Sequence, residues 1–125
     1  MRSLTRKQRR ASEEYAEWKI SLEQLRDRLG DAIEVNFGPH ERKVLFHYDN
    51  RKPVFRIELR HIRDAMDRQA RGGITTEQLS EWATMLLLNP SYDWEGPDQE
   101  EISEWLNDIS TLTLKPKAQA EQGES

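Results

Sequence analysis

The residue types that most often carry chemistry are few here and poorly spaced for it. Three histidines, His40, His47 and His61, stand without any cysteine, and none of their intervals is the short one that a zinc site uses. No metal and no cofactor are therefore assigned. The glycines of Arg71-Gly72-Gly73 lack the spacing and the following Lys-Ser/Thr of a phosphate loop, and they read instead as a helix end and a tight turn. His47 falls on the strand face opposite Phe46 and Tyr48, and His61 sits on a helix beside Arg60 and Arg63, so both are expected to be exposed or half-buried. With no nucleophile beside a base and no pair of shielded carboxylates, the chain reads as a non-enzyme.

Charge is distributed more informatively. The formal net charge is −4, yet Arg2, Arg6, Lys7, Arg9 and Arg10 open the chain with no acid among the first ten residues. From Pro39 to Arg71 there are nine Lys/Arg against five Asp/Glu, and from Gly72 to Leu114 there are nine Asp/Glu and no Lys/Arg. Such an asymmetry of sign points to partners of opposite charge. In the acidic half, Glu100, Glu104 and Asp108 follow one another at intervals of four. On a helix, like charges at that spacing cost roughly 0.2–0.5 kcal/mol per pair, and Asp108 also sits near the negative end of its own helix. Two sources of compensation suggest themselves: the arginine-bearing helix before Gly72, packed alongside, or a basic protein surface from outside.

Between the acidic helices, Tyr92 and Trp94 alternate with Asp93 and Glu95 in a loop. Rings that supply contact area, surrounded by carboxylates that speed encounter, are what a surface for a cationic protein needs. Folding both rings back onto the core is the competing use. The expected partner surface is Glu81, Tyr92, Asp93, Trp94, Glu95, Glu100, Glu104 and Asp108. Its alternative is a nucleic-acid arm of Arg2, Arg6, Lys7, Arg9 and Arg10, whose phosphate contacts would release counterions.

These residues need a scaffold, and hydrophobic periodicity supplies one. Ser12 followed by Glu13 and Glu14 predicts a helix start, and Tyr15, Trp18, Leu22, Leu25 and Leu29 predict one helix over about 13–29, closed by Gly30. Two heptads are too few for a coiled coil, so this stripe is assigned to the domain's own core. Ile33, Val35 and Phe37, then Val44, Phe46 and Tyr48, alternate with polar residues and predict a β-hairpin, with a turn at Asp49, Asn50 and Pro53. Residues 54–59 fit either a third strand or the start of a helix over roughly 58–71. Thr75 and Gln78 form a capping box with Ile74 placed to staple against Leu79, opening a core helix that Pro90 stops near Leu88. Asp98 and Glu101 suggest a second box, before a last helix buried through Ile102, Trp105, Leu106 and Ile109.

The expected fold is a mostly helical α+β domain: an N-terminal helix, a β-hairpin with a third strand left open, then three helices. Its expected boundaries are 12–114, with a basic flexible arm at 1–11 and a disordered polar tail at 115–125. No apolar run approaches the roughly 18–20 residues of a membrane span, and the basic N-terminus lacks the apolar core of a secretory signal, so a cytoplasmic location is expected.

The run "GGITTEQLSEWA", followed by the acidic helix "EEISEWLNDIS", resembles small bacterial immunity-type proteins, over roughly residues 54–112. The resemblance implies a protein inhibitor that occludes a basic toxin, often a nuclease. It transfers no catalytic residues, and the arginine-rich N-terminus departs from an all-acidic inhibitor.

Overall fold

A computed structural model describes residues 3–37, 42–48, 53–89 and 91–112. The order is α1 (Arg6–Ala16), α2 (Leu22–Leu29), a 3-10 turn (Gly30–Ala32), β1 (Ile33–Phe37), β2 (Arg42–Phe46), β3 (Phe55–Arg56), α3 (Leu59–Ala70), α4 (Thr76–Leu88), β4 (Tyr92–Asp93) and α5 (Gln99–Ser110). The architecture is α+β, as the periodicities predict. Arg2, the Asp49–Asn50 turn, Pro90 and the 115–125 tail lie outside the described residues.

At the centre is α4. Its apolar residues wrap around most of its circumference, and Trp82, Ala83, Met85 and Leu86 are wholly buried. A helix apolar on nearly every side must be enclosed by others, and α5, α3, β2 and β4 pack around it. Thr75 opens α4 as predicted: its hydroxyl accepts from the Gln78 N–H at 3.0 Å while the Gln78 side chain accepts from the Thr75 N–H at 2.8 Å. Ile74 is half-buried against the core.

The hairpin is antiparallel with Ile33 opposite Phe46 and Val35 opposite Val44. Residues 54–59 satisfy both sequence alternatives in turn. Phe55 and Arg56 pair parallel with Tyr92 and Asp93, and the chain turns into α3 at Leu59. His61, expected at least half in solvent, is instead buried, because its Nδ1 accepts the Glu58 N–H at 2.8 Å and ties down the start of α3. Burial, with Arg60 adding to it, lowers its pKa.

The N-terminus departs most from expectation. Thr5, not Ser12, caps the first helix, in a box with Gln8, so residues 6–11 are helical rather than a flexible arm. Ser12 lies buried inside α1, its hydroxyl donating to the Gln8 carbonyl at 3.3 Å. The single helix over 13–29 is two helices, separated at residues 17–21. A second box, Ser21 with Gln24, starts α2. The apolar spacing runs unbroken across this break, which is why periodicity alone conceals it. Tyr15, Leu25 and Leu29 of the stripe are buried in the domain's own core.

The corner between α1 and α2 turns on Trp18, which has φ +65°. The Lys19 N–H donates to the Glu14 carbonyl and the Trp18 N–H to the Tyr15 carbonyl, a helix-ending pattern in which the left-handed position belongs to glycine by preference. A side chain there costs about 1–2 kcal/mol. Stacking offsets part of this: the Trp18 ring lies 5.4 Å from that of Trp82 at 25°, and the Trp82 indole N–H donates to the Ala16 carbonyl at 3.2 Å.

Backbone and ring contributions at Trp18 can be separated. Trp18→Gly and Trp18→Ala both lose the stack, but only the glycine relieves the backbone. The glycine variant is expected to be the more stable of the two by about 1 kcal/mol in urea denaturation, the reverse of the order at an ordinary helical position.

Candidate acidic interface

α5 is built on one buried stripe. Ile102, Leu106 and Ile109 face α4, and Ser80 of α4 donates its hydroxyl to the Ser110 carbonyl at 2.9 Å, holding the C-terminal turn. The helix N-terminus lacks the predicted box: Asp98 sits at φ −102°, ψ 13° rather than extended, and its side chain caps nothing. An extended backbone is what aims a capping side chain at the first turn; the Gly96–Pro97 loop delivers Asp98 in another conformation.

The opposite face carries Glu100, Glu101, Glu104, Trp105 and Asp108, all exposed, with Leu112 just beyond the last turn. At 3.6 residues per turn these positions span an arc of roughly 140°. None of these four acids has an ion pair among the described residues, and the last turn of α5 contains no basic residue. Trp105, assigned by its spacing to the buried stripe, is corrected to this face, where it is 38% exposed. The sequence did hold a signal for this: Glu101 and Asp108, four residues before it and three after, share its side of the helix. Leu112, 56% exposed, continues the apolar contribution at that end.

Of the two sources of compensation, the internal one, α3, makes no ion pair with this face among the described residues. Although α3 packs on α5, its arginines are largely spent near home: Arg60 on Glu58 at 2.7 Å, Arg68 on Asp64 and Arg71 on Asp67, both at 2.9 Å. Arg56 reaches Asp93 at 3.8 Å. Arg56, Arg60 and Arg63 do line a groove of about 410 Å³ with Trp94, Glu95 and Asp98, on the loop before α5.

The residues grouped by sequence are thus divided by the fold. Glu95, Glu100, Glu104 and Asp108 are exposed and form no ion pair among the described residues. Asp93 is half-buried and takes the Arg56 contact. Trp94 is half-buried, with its indole N–H donating to the Ser103 hydroxyl at 2.7 Å, which pins the loop onto α5. Tyr92 is 4% exposed and its hydroxyl donates to the Ser12 carbonyl at 2.6 Å, so it is a core residue rather than an interface anchor. Burial, chiefly, drives its pKa far upward. Glu81 leaves the group altogether and faces a cleft between α1, α2 and α4. Of the proposed nucleic-acid residues, Arg6, Lys7, Arg9 and Arg10 lie exposed on α1. Among the described residues there is no group of three or more His, Asp or Glu able to hold a metal ion, and no helix long and apolar enough to cross a membrane.

The chain matches no family model, no curated protein and no solved structure.

Because the Tyr92 hydroxyl is a buried second donor to a carbonyl inside α1, Tyr92→Phe is expected to lose one hydrogen bond and lower the unfolding free energy by about 0.5–1.5 kcal/mol. Binding of a basic peptide by the folded variant is expected to be unchanged. A weakened titration with unaltered stability would return Tyr92 to the interface.

Proposed function

We propose that the protein is a non-catalytic binding module that docks a cationic protein on the outer face of α5. The observation that carries this reading is the exposed Trp105 set among unpaired carboxylates. An indole left partly in water keeps apolar area that a partner can still bury. In a complex it is the kind of residue that supplies most of the binding energy. The surrounding acids would steer a basic partner to it and reject acidic ones. Both features lie on one rigid helix backed by the core, so the surface is held ready before any partner arrives.

The mode of action is occlusion. A rigid acidic face covering a basic surface would block whatever that surface binds, which is how an immunity-type inhibitor acting in the cytoplasm would neutralise a basic toxin or nuclease. Relative to the sequence reading, the anchor moves from Tyr92 and Trp94 to Trp105, and Glu101 joins Glu104 and Asp108.

Placement, not total charge, is what the proposal requires. Glu104→Lys and Glu77→Lys change the net charge equally, but Glu77 lies at the exposed start of α4. In titrations with a capped deca-arginine peptide followed by Trp fluorescence at low salt, Glu104→Lys is expected to weaken binding roughly tenfold, about 1.4 kcal/mol, and Glu77→Lys much less. Equal losses would reduce the interaction to net charge and remove the case for a defined face.

A further inference from the structure

The basic residues at the start of the chain form a surface that the α5 reading leaves unused. Because Thr5 caps α1, Arg6, Lys7, Arg9 and Arg10 are fixed within the first turns of a helix, and all four are exposed. Arg6, Arg9 and Arg10 lie at intervals of three and four, so they share one side of it. With Pro53 and Val54 they line an open groove of about 510 Å³, in which Glu13 is the one acid among the described residues. None of the four cations forms an ion pair among the described residues.

The electrostatics of this groove are the inverse of those on α5. The first turn of α1 contains no acid, so its cations crowd the positive end of their own helix, where carboxylates are favoured. On α5, Glu100, Glu101, Glu104 and Asp108 are exposed and the last turn holds no basic residue. Each face presents what the other lacks. Trp105, 38% exposed on α5, adds a ring that guanidinium groups attract through cation–π contact, and Pro53 and the half-buried Val54 supply apolar surface for it to cover. Carboxylates around the ring can take the arginines in directed, charge-assisted hydrogen bonds.

We infer that the groove on α1 receives the α5 face of a second copy of this chain. The contact is head-to-tail, α5 of one molecule on α1 of the next, so it leaves a free face of each kind at the ends of the assembly. The inference rests on α5 being a docking face and names one occupant for it. Copies of the chain then mask one another's acidic face until a more cationic partner displaces them. A nucleic-acid backbone is the poorer occupant of the groove, because no aromatic residue among the described ones lines it for base stacking and the net charge of −4 opposes a polyanion.

The test is sedimentation equilibrium of the full chain and of two charge-reversed variants, Arg6→Glu/Arg9→Glu on α1 and Glu104→Lys/Asp108→Lys on α5. The parent is expected to show an average mass that rises with concentration at low salt and returns to that of a monomer at about 0.5 M salt. Each variant alone is expected to associate roughly tenfold more weakly or less. An equimolar mixture of the two should recover the parent's association, because an acidic face again meets a basic one at both contacts. The α5 variant is closer to neutral than the parent, so association governed by net charge would rise in it rather than fall. A parent that stays monomeric at low salt, an α5 variant that associates as strongly as the parent, or a mixture of folded variants that stays monomeric would overturn the inference. So would a monomeric parent that binds a labelled oligothymidylate through Arg6 and Arg9, which would give the groove to nucleic acid. Deca-arginine separates this inference from the α5 reading: a monomeric parent that still binds the peptide removes only the second copy, and one that does neither removes the docking face itself.

Discussion

A helix that carries carboxylates at every fourth position, with no cation on its exposed face, holds charge that no ion pair among the described residues neutralises. In α5 this constraint is sharpened by the helix dipole, because Asp108 lies in the last turn, where a cation would be favoured. Arg56, Arg60, Arg68 and Arg71 are committed to Asp93, Glu58, Asp64 and Asp67. Around this the rest of the molecule is arranged conventionally: an enclosed α4, α5 laid on it through Ile102, Leu106 and Ile109, and a loop pinned by Trp94.

The two ends of the chain are joined by aromatic residues acting as structural ties rather than as recognition elements. The Tyr92 hydroxyl reaches back to Ser12, and the Trp82 indole to Ala16. The Tyr48 hydroxyl bonds Asn89 at 2.9 Å and Ser91 at 2.8 Å, fixing the hairpin's end to the segment that follows α4. Each ring combines a large apolar surface with one polar atom, and burying both requires a specific acceptor. Here the acceptors are backbone carbonyls and short polar side chains distant in sequence. That is why Tyr92, flanked by acids in a loop, reads as an anchor in the sequence and is core in the fold.

What could be read from the sequence followed from local rules. The Thr75–Gln78 box, the alternation of the hairpin and the stop of α4 near Leu88 depend on neighbouring residues alone, and they stand as expected. Failures arose where two local signals competed or where orientation depended on distant packing. Ser21 with Gln24 is as good a helix start as Thr75 with Gln78, but the continuous stripe from Tyr15 to Leu29 masked it. Trp105 has the spacing of a buried residue, and only the width of the α5–α4 contact decides that it stays outside. The separation of Glu81 from the other acids is a tertiary fact that no spacing encodes.

The claim that the α5 acids serve a partner rather than the fold is tested most directly by one variant measured in two ways. Asp108→Lys removes a like-charge neighbour of Glu104 and places a cation at the negative end of the helix. The variant is expected to be more stable, by about 0.5 kcal/mol, and to bind deca-arginine more weakly than the parent. A variant that is less stable, or that binds as tightly as before, would contradict it.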